Sequence, residues 1–389
     1  PLWELWLAEG LEGDRFAIIG KTHHALVDGV SGVDITHVLY DAAREPTGSA
    51  DSGPEWLPRP EPNGVKLLAD ALLERATSPR EIVRGARAVL RGPRRIASQL
   101  RDGLAATGKM VGAGLSAPPS PLNVEIGGHR RFAWVTSDLG EVKRIKNELG
   151  GTVNDVVLAA VTGALGRYMR ARGCDTSELE LRAMVPVSVR ADEEHGALGN
   201  RVAAIMAPLP VWSEDPVETL HLISDTMGDL KGSGQAVGAE ILTGLADFAP
   251  PTIASQAARL QSAQRFFNLV VTNIPGPQIP LYLLGREMLA LFPMVPLAQN
   301  QAVCVGIMSY NGQLHFGLIG DYDAMSDLDS LALDLEAAID ELSAAAPERK
   351  KAPKARKKAA KAKKAKAASE AGKNGAKSKN SSAKASAKR

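Results

Sequence analysis

Cysteine and long apolar runs are both scarce in this chain of 389 residues. Its two cysteines, Cys174 and Cys304, have neither a CxxC partner nor metal-ligand spacing. We therefore expect no metal site and no disulfide framework, and a reduced, cytoplasmic setting. No amino-terminal signal segment is visible. The most apolar stretch, near 288–308, is interrupted by Pro293 and Pro296, so we expect no membrane-spanning helix, which would need ~20 apolar residues.

Glycine-rich nucleotide-binding motifs are absent as well, because neither GxGxxG nor a P-loop occurs. What is present is an alternation of strand and helix patterns. The sequence predicts strands at 15–22, 130–139, 181–190, 201–212, 266–271, 302–310 and 313–320, and helices at 138–150, 156–169, 215–231 and 326–343. Asn311-Gly312 between the last two strands is a strong hairpin signal. The pattern indicates an α/β (α+β) protein.

Charge is distributed very unevenly along the chain. Residues from Arg349 to the end carry 17 Lys and Arg and one acid, Glu370, whereas the rest of the chain has a net charge of −14. This tail has no aromatic residue and nothing apolar larger than Ala. It cannot bury enough surface to offset the entropy of ordering, so we expect residues 347–389 to be a disordered, basic tail.

The most informative motif is HHALVDG, residues 23–29, between a predicted strand and a glycine-containing turn. Adjacent side chains of an extended segment point to opposite faces, so His23 and His24 are not expected to share one site. One imidazole can enter a cleft while the other supports the loop, and a neutral imidazole suits a general base near pH 7. We interpret the other histidines as ordinary core or surface residues; they are His37, His129, His195, His221 and His315.

Four elements together make this sequence resemble the bacterial wax ester synthase/acyl-CoA:diacylglycerol acyltransferase family, within the chloramphenicol acetyltransferase-like superfamily. HHALVDG resembles the HHxxxDG active-site motif of that superfamily. Pro1, Leu2 and Trp3 resemble a PLW element, Asn154-Asp155 an ND element, and NIPGP (273–277) an N-x-P-G-P segment. All four occur in the family's order, and the resemblance covers about residues 1 to 345.

The resemblance implies a two-lobed CoA-dependent acyltransferase sandwich with its active site between the lobes. Because the PLW element is internal in the family, we expect the first lobe to be incomplete here. Residues 1–64 would be the remainder of the amino-terminal lobe with its linker, 65–120 a helical crossover region, and 121–346 the carboxy-terminal lobe. Seven arginines crowd the crossover region: Arg80, Arg84, Arg87, Arg91, Arg94, Arg95 and Arg101. They indicate either a solvated helix face or a surface for anionic lipid or CoA phosphates.

The resemblance also assigns roles to residues. His24 would be the catalytic base, His23 its supporting neighbour, and Asp28 an ion-paired residue that holds the loop, while Gly29 permits its turn. Asn154 and Asn273 are candidates to stabilise the oxyanion, but helix capping by Thr152 or Asn154, and turn formation before Pro275, explain them equally well. Asp155 is expected to be functionally sensitive, in a role that the motif leaves open.

The expected reaction is transfer of a long-chain acyl group from acyl-CoA, a co-substrate, to diacylglycerol, without a cofactor. The alternatives are wax ester synthesis with a fatty alcohol, or an inactive lobe that binds lipid or nucleic acid. A condensation-domain role in peptide synthesis shares the histidine motif, but the other three elements argue against it. The basic tail would attach a cytoplasmic protein peripherally to an anionic membrane or lipid droplet, and could bind nucleic acid non-specifically.

Overall fold

The computed structural model describes residues 2–23, 39–45, 63–67, 69–70, 117–188, 202–232 and 266–347. By its internal contacts the chain divides into residues 1–345 and 346–389. The strands are β1 (Trp3–Leu11), β2 (Arg15–Thr22), β3 (Arg130–Asp138), β4 (Glu180–Ser188), β5 (Val202–Pro210), β6 (Leu269–Pro275), β7 (Tyr282–Leu283), β8 (Arg286–Glu287), β9 (Val303–Tyr310) and β10 (Gln313–Asp321). The helices are α1 (Leu139–Leu149), α2 (Val153–Ala171), α3 (Pro216–Gly232) and α4 (Leu328–Ala345).

A six-stranded mixed sheet in the order β3-β10-β9-β6-β4-β5 forms the centre of the larger unit. Strands β9, β6 and β4 run parallel to one another, whereas β3 and β10, β10 and β9, and β4 and β5 pair antiparallel. The α/β class is therefore confirmed. The hairpin between β9 and β10 is also confirmed, with Asn311 and Gly312 at φ 44° and 83°, as a two-residue turn of this kind requires.

One face of the sheet is covered by helices. Helix α2 packs against α1, α3 and α4, and it is buried around most of its circumference because nearly every residue from Val156 to Leu165 is apolar. On the sheet, alternate side chains such as Val135, Val305 and Leu318 lie buried on this face. The predicted helix limits hold closely, including the end of α1 at Gly150, whose φ is 100°.

The opposite face is covered in part by an irregular segment, residues 288–300, that lies directly on the strands. Val295 and Leu297 pack against a cluster formed by Val270, Cys304 and Ile319. Gly317 and Gly306 pair across β10 and β9 on this same face. A Cβ atom at Gly317 would lie only 1.9 Å from the carbonyl oxygen of Pro293, so the two backbones touch because glycine leaves the space.

Three hydrogen bonds of the Asn268 side chain connect β4 to the segment 118–123, which precedes β3. The amide of buried Asn268 donates from Nδ2 to Pro118 O (2.9 Å) and Asn123 Oδ1 (2.6 Å), while its Oδ1 accepts from Arg182 N (2.7 Å). Asn268 thus extends the pairing of β4 and β6 with a side chain. The sequence predicts a strand at 266–271, whereas β6 begins at Leu269 and continues to Pro275.

The amino-terminal strands form a separate antiparallel hairpin. Strand β2 was predicted, but β1 was not. The backbone N–H of His23 donates to Leu2 O at 2.7 Å and closes the open end of this hairpin. Leu2 and Trp3 of the PLW element are exposed there, and Pro1 lies outside the described residues. Among the described residues no single helix could cross a membrane; only α1 and α2 together have the length and apolar composition, and they are bent by 97°.

We expect Gly317→Ala to lower the free energy of unfolding by at least about 1–3 kcal/mol, because the new methyl group overlaps the Pro293 carbonyl. Urea denaturation measures this. Gly228→Ala, at an exposed position of helix α3 with no atom within 4 Å of the new Cβ, is the matched control and should leave stability unchanged or raised. A Gly317→Ala variant as stable as wild type would contradict the close contact.

Candidate functional site

The histidine motif begins at the end of β2. His23 follows that strand directly and is exposed, with its backbone fixed by the bond to Leu2. His24, Asp28 and Gly29 lie outside the described residues. The strand that leads into the motif is therefore confirmed, and the choice of His24 over His23 as the base stays a prediction.

The ND element lies at the start of α2, in a capping box. Thr152 is the N-cap, with extended φ and ψ of −112° and 168°. Its Oγ1 accepts from Asp155 N (3.2 Å), and Asp155 Oδ2 accepts from Thr152 N (2.8 Å). Capping by Asn154 is therefore wrong, because Asn154 is already inside the helix, half-buried at its second position. Helix capping therefore does not explain Asn154.

Asp155 of the ND element has a structural role that its hydrogen bonds show. Its side chain is 3% exposed, and Ser224 Oγ on α3 donates to Asp155 Oδ2 at 3.4 Å. The carboxylate also faces the positive end of the helix dipole. Its second oxygen, Oδ1, is buried without a hydrogen-bond partner among the described residues. We interpret Asp155 as a residue that holds the start of α2 against α3.

Asn273 lies inside β6 rather than after it. It pairs with Ile307 of β9, because the parallel ladder continues to Pro275. By alternation Asn273 shares the helix-covered face with Val271 and Ile307, and it is half-buried. The turn expected before Pro275 therefore begins later, at Gly276, and turn formation does not explain Asn273.

The residues after Asn273 are fixed against the β9–β10 hairpin. A Cβ atom at Gly276 would lie 2.2 Å from Ser309 O, so only glycine fits. Gly276 N donates to Ser309 Oγ (3.2 Å), and Asn311 N donates to Pro277 O (3.0 Å). The NIPGP segment is thus the last three residues of β6 followed by Gly276 and Pro277, which are bonded to the hairpin.

From the strand directions and the contacts of α2 we infer that Asn154 and Asn273 lie toward the same end of the sheet. The carboxyl end of α2 is fixed near the ends of β5 and β10, where Arg170 Nη1 donates to Val211 O (3.1 Å) and Arg172 pairs with Asp327. Its amino terminus therefore points to the opposite end, where parallel strands β4, β6 and β9 finish. Polar groups at the carboxyl ends of parallel strands commonly form sites in α/β proteins. Here that end also presents helical N–H groups.

Three other side chains that could act as nucleophile or base, Cys304, His315 and His221, make contacts with neighbouring groups. Burial raises the pKa of the Cys304 thiol to about 12, and its Sγ lies 2.8 Å from Val295 O. Burial lowers the pKa of His315, which contacts Thr136 Oγ1 at 3.2 Å and the Phe292 ring edge-on. The ring of His221 contacts Leu149 O at 3.0 Å. Cys304 is therefore too poor a nucleophile for covalent catalysis.

Gln278 and Ser309 form hydrogen bonds to Gly276 of the NIPGP segment, and neither residue was predicted from the sequence. Gln278 Nε2 donates to Gly276 O and Ser309 Oγ, both at 3.0 Å, and its Oε1 accepts from Gly312 N at 3.2 Å. A glutamine after Pro-Gly-Pro and a serine near a strand end give no signal on their own. They meet only because β6 and β9 are neighbours.

Two protein-family models match this chain, one in its amino-terminal part and one in its carboxy-terminal part. A family model described as "Wax ester synthase/diacylglycerol acyltransferase catalytic domain" matches residues 1–157, and one described as "WS/DGAT C-terminal domain" matches residues 198–343. Two Mycobacterium tuberculosis proteins named probable diacylglycerol O-acyltransferases, tgs1 and tgs2, are 31% and 34% identical over 87% of this chain. The match spans 71% and 73% of their lengths.

A solved structure is similar in fold. The wax ester synthase/diacylglycerol acyltransferase from Marinobacter aquaeolei VT8 superposes with a TM-score of 0.61 at 26% identity. The match covers 89% of this chain and 72% of that protein. The two-lobed acyltransferase fold expected from the motifs is therefore confirmed.

We expect Thr152→Ala to lower the free energy of unfolding by about 1 kcal/mol, because the N-cap oxygen that accepts from Asp155 N is lost. Thermal unfolding measures the change, and Thr152→Ser should retain most of the stability. Thr226→Ala is the control, because among the described residues the Thr226 hydroxyl donates to Leu222 O of its own helix and caps no helix end. Equal effects at the two positions would argue against the capping box.

Proposed function

The chain belongs to the wax ester synthase/diacylglycerol acyltransferase family, and from this membership we propose that it transfers a long-chain acyl group from acyl-CoA to the hydroxyl of diacylglycerol, which makes triacylglycerol. The observation that carries the proposal is HHALVDG at the end of β2, in a chain whose relatives are named diacylglycerol O-acyltransferases over 87% of its length.

The proposed chemistry is direct transfer. His24 Nε2 or Nδ1 accepts the proton of the acceptor hydroxyl, and the alcohol oxygen attacks the thioester carbonyl. The tetrahedral intermediate then expels the CoA thiolate, which takes up a proton. A thiolate leaves readily, so no acyl-enzyme is required, and the raised pKa of Cys304 is consistent with this. The scheme needs no cofactor beyond the co-substrate acyl-CoA.

Asn154 and Asn273 are the proposed donors to the oxyanion. The support is their placement: neither serves as a helix cap or turn residue, and both lie at the end of the lobe where β6 finishes. A single preorganised donor is commonly worth ~10²–10³ in rate. Asp28 is proposed to hold the histidine loop through an ion pair, with His23 and Gly29 supporting it.

Wax ester synthesis is the second candidate, favoured by the solved relative, which is named for both activities. The purified chain is tested with labelled long-chain acyl-CoA and either diacylglycerol or hexadecanol as acceptor. Faster product formation with diacylglycerol supports the first candidate, and faster formation with hexadecanol supports the second. Turnover with neither acceptor would leave an inactive binding protein.

We expect His24→Ala to reduce acyl transfer by roughly 10²–10⁴-fold, the usual contribution of a general base. His23→Ala should keep a measurable fraction, because neighbouring side chains of an extended segment face opposite sides. Initial rates with saturating acyl-CoA measure both, and circular dichroism checks folding. Equal losses from the two changes in folded protein would remove the assignment.

The tail from Arg349 to Arg389 is proposed to attach the protein to anionic membrane or lipid-droplet phospholipid, from the cytoplasm. Its 17 basic residues against one acid support this, since each Lys or Arg near an anionic leaflet contributes ~1 kcal/mol. Non-specific binding to nucleic acid is the alternative use of the same charge.

We expect deletion of residues 349–389 to reduce co-sedimentation with anionic vesicles strongly at low salt and little at high salt, because screening weakens the attraction. Neutral vesicles are the control. Unchanged binding after deletion would show that the tail is not the attachment, and would shift attention to the arginines between Arg80 and Arg101.

A further inference from the structure

The turn at Asn311–Gly312 is connected to both candidate oxyanion donors. Gly312 O accepts from Leu139 N at 3.0 Å, which fixes the start of α1. Helix α1 leads through Gly150 and Gly151 into the capped start of α2, where Asn154 lies. On the other side, Gly312 N donates to Gln278 Oε1 at 3.2 Å, and Gln278 follows directly on the NIPGP segment.

Gln278 uses both ends of its amide in this position. Its oxygen accepts from the hairpin turn, and its nitrogen donates to Gly276 O and Ser309 Oγ, both at 3.0 Å. Ser309 Oγ accepts in addition from Gly276 N at 3.2 Å. The Gln278 side chain therefore joins two backbone positions, Gly276 and Gly312, and the Ser309 hydroxyl. These groups belong to the segment after β6 and to the β9–β10 hairpin.

Gln278 is not part of the hydrophobic core, so the effect of its hydrogen bonds can be tested without disturbing core packing. The residue is exposed, so its truncation removes little buried apolar surface, and its main effect should be on the position of its partners. A misplacement of about 1 Å at a reacting group can cost ~10²-fold in rate. The segment that Gln278 holds begins three residues after Asn273.

We propose that Gln278, together with Ser309, is a positioning residue for acyl transfer, which fixes Gly276 and Pro277, directly after β6, to the Asn311–Gly312 turn and so sets the end of β6, with Asn273, relative to the start of α2. The inference rests on the proposed acyltransferase function. It adds a polar clamp outside the four sequence motifs, built from side chains that are 31 residues apart.

The chain contains a matched control in Tyr310. Its hydroxyl accepts from Leu281 N (2.9 Å) and donates to Met288 O (2.8 Å). Tyr310 thus connects Leu281 and Met288, which follow Gln278 in the chain, to the β9–β10 hairpin. Neither of these two bonds is to residues 273–278. Gln299, an exposed glutamine in the irregular segment, controls for amide removal.

The test compares Gln278→Ala, Gln278→Glu, Tyr310→Phe and Gln299→Ala with the wild-type chain, by kcat and KM for acyl-CoA and by thermal unfolding. Gln278→Glu keeps the acceptor for Gly312 N but loses both donated bonds. We expect both Gln278 variants to lower kcat by roughly 10- to 100-fold, with KM for acyl-CoA within about twofold and a small change in Tm. Tyr310→Phe should lower Tm and retain kcat, and Gln299→Ala should match wild type.

A wild-type kcat in Gln278→Ala would overturn the positioning role while leaving the acyltransferase function intact. An equal loss of kcat in Tyr310→Phe would also overturn the positioning role, because a general loosening of the chain between β6 and β9 would then explain the loss. Lack of turnover by the wild-type chain with either acceptor would instead reject the proposed function, and the positioning role with it.

Discussion

The contact of the β9–β10 turn with its neighbours is the constraint on which the candidate site depends. Gly312 donates to Gln278 and accepts from Leu139, and Asn311 donates to Pro277. The segment after β6 and the start of α1, which leads to Asn154, are therefore both hydrogen-bonded to the same turn. A two-residue hairpin has little conformational freedom, so it is well suited to hold two distant parts of the chain in register.

The sheet behind this turn is covered in two different ways. On one face α2 is buried by three other helices, which provides the apolar core. On the other face an irregular segment lies so close that Gly317 and Gly306 have no room for a side chain. Backbone in such a position is rigid because the packing on both sides is dense, and this rigidity extends to the ends of β6 and β9.

The proposed reaction makes modest demands on this lobe. A thioester has a good leaving group, so the protein must supply a base, donors to the oxyanion and a fixed geometry. In the proposed scheme His24 of the histidine motif is the base, and Asn154 and Asn273 of the described residues are the donors to the oxyanion. Asp155 and Gln278 are buried or engaged in hydrogen bonds that hold backbone, so their contribution would act through the groups they position. The basic tail is proposed to determine where the protein works and has no proposed part in the reaction.

The sequence by itself determined the α/β class, the strand before the histidines, the β9–β10 hairpin and the limits of α1, α2, α3 and α4, because hydrophobic periodicity, glycine and capping residues act locally. It also identified the family, since four motifs occur in order. The sequence left the cap of α2 open between Thr152 and Asn154, and the structure identifies Thr152. Only the tertiary structure decided that β6 runs on past Asn273 and that Gln278 meets Ser309 and Gly312. These depend on which strands are neighbours and on backbone approaches such as Gly276 to Ser309. Such pairings join residues far apart in sequence, so no local pattern of side chains records them.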